Sequence, residues 1–278
     1  MTSQYDEPPI LAEIDSDGIA WLTFNRPRQL NAFNNQLMQA SLDQMANFER
    51  DEAVRVIVVS GAGRAFSPGF DLKAASERQL EGRDAWRDQL NLQFDFIMSF
   101  WNARVPTIAA VHGYCLAGAL EVSLASDLTL AADNAIFGEP EVRFGSGAVA
   151  MLFPWVTGPK QAKELLLTGD DRVAAERALQ MGIVNRLVAA DALVQEAHRL
   201  AQKIAKASPA AVQKSKAAIN RSYDIMGLRQ ALELGLDIDV DINTTPSWEK
   251  QEFSRIRREQ GVKAAIAWRD ARFRDEAQ

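Results

Sequence analysis

The stretch that most constrains this chain runs from Val54 to Val59 and reads Val-Arg-Val-Ile-Val-Val. It is short, β-branched and nearly all apolar, the pattern of a strand covered on both faces. A strand of that kind needs helices on either side of its sheet, which predicts an α/β core. Ile19 to Phe24 reads as a second strand. Between the two, Leu37 or Met38, Leu42, Met45 and Phe48 recur at helical spacing, with Asn34 or Asn35 available as N-cap. Trp86, Leu90, Phe94, Ile97 and Trp101 mark another helix, ending before Pro106. Thr107 to Val111 then reads as a strand, followed by a Gly-rich turn and a helix beginning near Gly118. Leu128 to Ala132, Ala135 to Phe137 and Ile183 to Val188 complete the strand signals.

After Asp191 only helices are legible. Leu193, Ala197, Leu200 and Ile204 share one face, and Pro209 suits the first turn of the next helix. Helical spacing continues through Leu232, Leu236 and Val240, restarts after Pro246 and reaches Trp268. We therefore expect an α/β core over 1–205 and a helical region over 206–278. Trp268 and Phe273 need cover, from the core or from a second subunit.

Composition narrows the function. The 278 residues are enough to bury a core without staples. With 31 basic residues against 37 acidic ones, the net charge of -6 argues against a protein that works by neutralising nucleic-acid phosphates. A single cysteine, Cys115, forms no internal disulfide, and two histidines offer little for a structural zinc site. The opening MTSQYDEPPI lacks the basic end and apolar run of a signal peptide, and no apolar stretch reaches membrane-spanning length. A cytoplasmic protein is expected.

Three segments carry candidate chemistry. Gly61 to Lys73 follows a buried strand with Gly-x-Gly, but Phe66 stands where a dinucleotide fingerprint needs its third glycine. The plainer reading is a strand-to-helix turn with Asp71 capping the next helix, which leaves Phe70 unexplained. In His112 to Glu121 a small-residue turn enters a helix, so backbone N–H groups near Gly118 are free for an oxygen. Glu121, three residues on, shares a helical face with Gly118. A carboxylate beside an oxyanion donor is what proton transfer next to a carbonyl requires. An ordinary first-turn Glu explains the same spacing. Phe137-Gly138-Glu139-Pro140-Glu141 adds two carboxylates that alternation would point in opposite directions. Alone, they read as solvated loop acids.

Together these stretches resemble the crotonase superfamily, the enoyl-CoA hydratase/isomerase family, over nearly the whole chain. The matching segments are Asn25-Arg26-Pro27 with Leu30-Asn31-Ala32, Ala65 to Lys73, Pro106 to Glu121, Phe137 to Glu141, Leu167-Thr168-Gly169 and Gly182-Ile183-Val184. The resemblance implies a spiral of ββα units, a C-terminal helical trimerisation region and an acyl-CoA thioester substrate. It implies an oxyanion hole from the backbone N–H groups of Phe70 and Gly118, with Glu121 and Glu141 as the catalytic carboxylates. Arg28, Leu30, Ala32, Ser67, Asp71 and Leu72 fall in the segments that line the CoA site. No separate cofactor is implied, since coenzyme A is part of the substrate, and no metal. The implied assembly is a homotrimer or a dimer of trimers.

Two departures stand out. Pro68 occupies a position where a small residue is usual in that family. After Glu141, family hydratases usually carry Pro-Gly-x-Gly-Gly. This chain instead reads Phe144-Gly145-Ser146-Gly147-Ala148-Val149-Ala150-Met151-Leu152-Phe153-Pro154-Trp155. Hydration of a trans-2-enoyl-CoA is the leading expectation. Double-bond isomerisation and dehydration of a hydroxyacyl-CoA, as in carnitinyl-CoA, are the alternatives. A CoA-binding homologue without turnover is a further one, against which the retention of both Glu121 and Glu141 weighs.

Overall fold

The computed structural model describes residues 7–78 and 80–273. The chain opens with β1 (Ile10–Ile14), β2 (Ile19–Phe24), α1 (Asn35–Arg50) and β3 (Val56–Gly61). Next come α2 (Leu72–Glu77), α3 (Gly82–Asn102), β4 (Thr107–Val111), β5 (Tyr114–Leu116) and α4 (Gly118–Ala125). β6 (Leu128–Ala132), β7 (Ile136–Gly138), α5 (Phe153–Val156), α6 (Pro159–Thr168), β8 (Val173–Ala174), α7 (Ala175–Gln180) and β9 (Arg186–Val188) follow. The chain then turns to helices: α8 (Leu193–Ala205), α9 (Pro209–Ile225), α10 (Leu228–Thr244), α11 (Trp248–Gln260) and α12 (Val262–Ala271).

One sheet runs β1-β2-β3-β4-β6-β9, parallel except between β1 and β2. Alternation sorts its side chains into two cores. Val56, Val58, Ile108, Ala110 and Leu130 meet Leu193, Ala197 and Leu200 of α8. Ile57, Val59, Ala109 and Val111 face the opposite way, into the main core with Phe24, Phe33, Phe66 and Phe96. A second, three-stranded sheet runs β5-β7-β8.

The strand expected at Val54 begins two residues later, because the Arg55 N–H still closes the preceding connection on the Gly18 carbonyl. β1 escapes the sequence pattern because it is an edge strand, with Leu11 to Ile14 exposed. β5 hides inside the Gly-rich turn. α10 buries Leu228, Leu232, Leu236 and Val240 in the main core. The α11–α12 hairpin packs Phe253, Ile256 and Ala265 against Leu72, Phe144 and Trp268, so Trp268 finds cover within the chain. Phe273 stays 46% exposed, with the Arg143 guanidinium over its ring.

Candidate active site

Two short backbone ladders bring the oxyanion candidates together. Phe33 N donates to the Gly69 carbonyl at 2.8 Å and Asp71 N to the Phe33 carbonyl at 3.0 Å. In a ladder, alternate residues bond one neighbour, so the Phe70 N–H faces away from Phe33. On the other side Ser67 pairs with Cys115. Ala117 then adopts φ 58, ψ -136, a conformation that side chains rarely accept, while its N–H donates to the Gly138 carbonyl at 2.8 Å. That twist starts α4 with the Gly118 N–H outside any ladder. Among the described residues neither the Phe70 nor the Gly118 N–H has a protein acceptor. The Phe70 ring, unexplained by the sequence, lies directly on Gly118. A Cβ added there would stand 2.5 Å from two ring carbons.

Glu121 sits in the first turn of α4 and is almost fully buried. Its Oε1 accepts from Val149 N at 3.1 Å and its Oε2 from Ala150 N. The apolar segment after Glu141 therefore clamps the other carboxylate, Glu121. Glu141 opens a single 3-10 turn over Glu141–Phe144, closed by the Ser146 N–H on the Glu141 carbonyl at 3.0 Å. Pro140 has φ -83, ψ 5, a turn conformation rather than a strand, so the alternation expected across it fails. Glu139 and Glu141 are both buried, at 1% and 7% exposure, and are not solvated loop acids.

A fourth carboxyl group, Asp239 of α10, enters the same cluster at 2% exposure. Burial pushes all four carboxyls upward, and like charge adds to it in Glu121, Glu139 and Asp239. Glu121 and Glu139 are held well above the usual carboxylate range. Glu141 is raised to about 7, restrained by a hydrogen bond shared with Glu139 and by the Arg269 charge. Asp239 is raised to about 7, chiefly by burial and then by the Glu141 charge. Glu139's oxygens and one oxygen of Glu141 lack donors when both are ionised, and a proton between the two carboxyls supplies one.

These shifts fix a pH dependence of stability. Between the unfolded carboxyl values, 3.8 and 4.5, and about 7, the folded protein binds more protons than the unfolded chain. Stability is therefore highest at the acidic end of that window and falls as pH rises through it. The melting temperature should drop by about 5 °C between pH 5 and 7.5. Thermal melts of Glu141→Gln should show a shallower decline, and an unchanged slope would count against the buried acid cluster.

The residues expected along a CoA site lie on segments that hydrogen bonds tie together between Arg26–Ala32 and Ser67–Ala74. Ser67 Oγ donates to the Asn31 carbonyl at 2.9 Å, and Asp71 pairs with Arg26 at 2.9 Å while accepting from Lys73 N and Ala74 N as the α2 cap. Both polar groups are thus engaged within the protein, and the expected cap is present. Arg28 is exposed, Leu30 and Leu72 are half-buried, and Ala32 is buried. Asn31, absent from the expected site, ties the first of these segments: its Nδ2 donates to the Ala62 and Ala65 carbonyls, each at 2.8 Å, and its Oδ1 accepts from Arg26 N at 2.9 Å.

Asp239 is the acid that the sequence reading leaves unnamed, and Glu139, named beside Glu141, is buried where a solvated loop acid was expected. For Asp239 a signal exists. Asp237 and Asp241 are four residues apart and share a helical face, so Asp239 must point roughly opposite, toward the side of Leu232, Leu236 and Val240. Asp237 and Asp241 indeed pair with Arg87 and Arg83 at the surface of α3. Among the described residues, no three His, Cys, Asp or Glu side chains converge as metal ligands, and no helix is long and apolar enough to cross a membrane.

Comparison with known proteins gives a consistent answer. A family model described as enoyl-CoA hydratase/isomerase matches residues 15–264. An enoyl-CoA hydratase/isomerase from Xanthobacter autotrophicus Py2 superposes with TM-score 0.93 at 48% identity, covering 95% of this chain and 98% of that one. A probable enoyl-CoA hydratase from Dictyostelium discoideum, named as mitochondrial, is 34% identical over 211 residues, 74% of each chain. Carnitinyl-CoA dehydratase of Escherichia coli K12 is 37% identical over 196 residues, 69% of this chain and 72% of the relative. The mixed α/β core with C-terminal helices is the fold of these structural neighbours.

Proposed function

The chain belongs to the enoyl-CoA hydratase/isomerase family, and we propose that it is a hydro-lyase that adds water reversibly across the double bond of a trans-2-enoyl-CoA. One observation carries this reading. Glu121 is buried one helical turn from Gly118, whose N–H like that of Phe70 has no protein acceptor, and its charge acts on that of a second buried carboxyl, Glu141. Burial and mutual repulsion oppose ionisation of all four carboxyls at once, so the cluster offers an acid and a base at the same pH. As the water oxygen bonds Cβ, its proton passes to a carboxylate and the π pair moves onto the thioester oxygen. The N–H groups of Phe70 and Gly118 receive that charge. A carboxylic acid then delivers a proton to Cα as the enolate collapses. Titration belongs to the pair, since each carboxyl feels the other.

Coenzyme A enters as part of the substrate, along the segments of Arg28, Leu30, Ala32, Ser67, Asp71 and Leu72. Arg28 is the exposed guanidinium there, a geometry suited to a phosphate. The same machinery run backwards dehydrates a hydroxyacyl-CoA, a second reading favoured by the similarity to carnitinyl-CoA dehydratase. The division into a 1–205 core and a 206–278 helical region belongs to this proposal, with α10 crossing it to supply Asp239. Cytoplasmic location belongs to it also, supported by the single cysteine.

A trimer, or a pair of trimers, is the proposed assembly. Leu234, Ile238 and Ile242 recur at four-residue spacing on α10 and are exposed, as are Ile225 and Met226 at the end of α9. Multi-angle light scattering should return three or six times the 30.7 kDa chain mass, and a value near one chain overturns the assembly. The function is tested with a panel of trans-2-enoyl-CoA and 3-hydroxyacyl-CoA thioesters of graded length, followed by loss or gain of enoyl-thioester absorbance. Binding of CoA thioesters without any absorbance change overturns the hydratase reading.

A further inference from the structure

We propose that Asp239, carried into the site by α10, is a positioning residue of the catalytic acids, setting through Asn243 and Lys250 how tightly Glu121 and Glu141 hold their protons. The proposal rests on the hydratase reading for its kinetic test alone. Its first support is steric. Gly147 has no left-handed φ to demand a glycine, yet a Cβ there would stand 2.6 Å from Asp239 Oδ1 and 3.0 Å from Ile242 Cδ1. The missing side chain is what lets this carboxyl reach the cluster. Its second support is an unpartnered atom: Asp239 Oδ2 is buried with no hydrogen-bond partner, while Oδ1 accepts from Asn243 Nδ2 at 2.8 Å.

The groups that face Asp239 come from four directions. Glu121 on α4, with Glu139 and Glu141 after β7, repel its charge. The Gly147 N–H and Asn243 favour the ionised form, as does Lys250 of α11. Arg269 of α12 acts on Glu141 instead. Lys250 Nζ donates to the carbonyl and side-chain oxygens of Asn243 and lies 4.6 Å from the centre of the Trp86 ring on α3. Burial lowers its pKa to about 8. Lys250 also lines a cleft of about 310 Å³ at the junction of α10 and α11, with Ser247 and Arg258. A polar chain thus runs from solvent through Lys250 and Asn243 to Asp239, and from there by charge to the catalytic pair.

The test is a pair of variants that must move the pH profile in the same direction. Asp239→Asn removes a negative neighbour, so both limbs of the kcat/KM pH profile should move to lower pH by about one unit, a tenfold change in relative activity on each flank. Lys250→Met removes the cation that favours ionised Asp239, so Asp239 stays protonated to higher pH and the limbs should again move downward, by less. Limbs that stay in place while activity falls evenly at all pH values mean a merely structural role and overturn the proposal. If Asp239→Asn fails to fold, Lys250→Met decides alone, an unmoved profile again overturning it. The ¹³C NMR titration of carboxyl-labelled, substrate-free protein needs no turnover. The remaining near-neutral carboxyls should titrate lower in Asp239→Asn, and wild-type values for them refute the coupling. A wild-type protein that lacks turnover but shows this shift would fail the hydratase reading and keep the Asp239 assignment.

Discussion

Glu121→Gln and Glu141→Gln should each lower turnover by about 10²–10⁴-fold, the usual worth of a positioned acid or base. Glu121→Gln should be the more severe. Its carboxylate accepts from two backbone N–H groups, Val149 and Ala150, one on each oxygen. A glutamine turns one of those oxygens into an NH₂ group facing another donor, so the 149–150 segment loses a tether along with the acid. CoA affinity should change little in either variant, because the proposed CoA-binding residues and the oxyanion donors remain. If both carboxyls act on one water, as the hydratase reading has it, the double variant should lose far less than the product of the singles. Steady-state kinetics on the best thioester of the panel decides this. If Glu141→Gln stays near wild type while Glu121→Gln is inactive, a single-carboxylate isomerase replaces the hydratase. If neither substitution matters to real turnover, the site lies elsewhere.

Gly118→Val should cost about two to three decades in kcat, the effect of losing one oxyanion donor. Its Cβ would meet the Phe70 ring at 2.5 Å, and relief requires either the ring or the start of α4 to move. Either movement displaces an N–H from the place proposed for the thioester oxygen. Phe70→Ala, in contrast, keeps its own N–H and should lower activity modestly, through lost packing on Phe33 and Gly118. A loss in Phe70→Ala as large as that in Gly118→Val, with acyl-CoA affinity unchanged, would assign the function to the ring and sink the backbone role.

The strands buried on both faces were the legible part of this fold. Ile19–Phe24, Thr107–Val111 and Leu128–Ala132 stand where their β-branched or small apolar runs place them, because no solvent face dilutes the pattern. The same physics hides β1, which has one covered side at most, and β5, whose three residues lie between glycines. In the site, Glu121 was readable because helix spacing ties it to Gly118. Glu139 was not, because a turn at Pro140 replaced the extended backbone on which alternation depends. Asp239 lies more than ninety residues along the chain from the Gly147 that admits it. Its meaning is set by a tertiary approach, which no local window contains.

α10 has two sides with different audiences. Inward it carries Asp239, Val240 and Asn243, and outward it shows Leu234 and Ile238, with Ile242 at the border. A helix gripped along its outer stripe frays less than one left in water, and the acid it carries is held correspondingly still. In the proposed trimer, specific activity would then depend on how much of the chain is present. Assays run at nanomolar dilution would report a looser acid and a broader pH response than assays run at micromolar stock concentration. Rate per mole plotted against enzyme concentration would bend at the point where neighbouring chains let go.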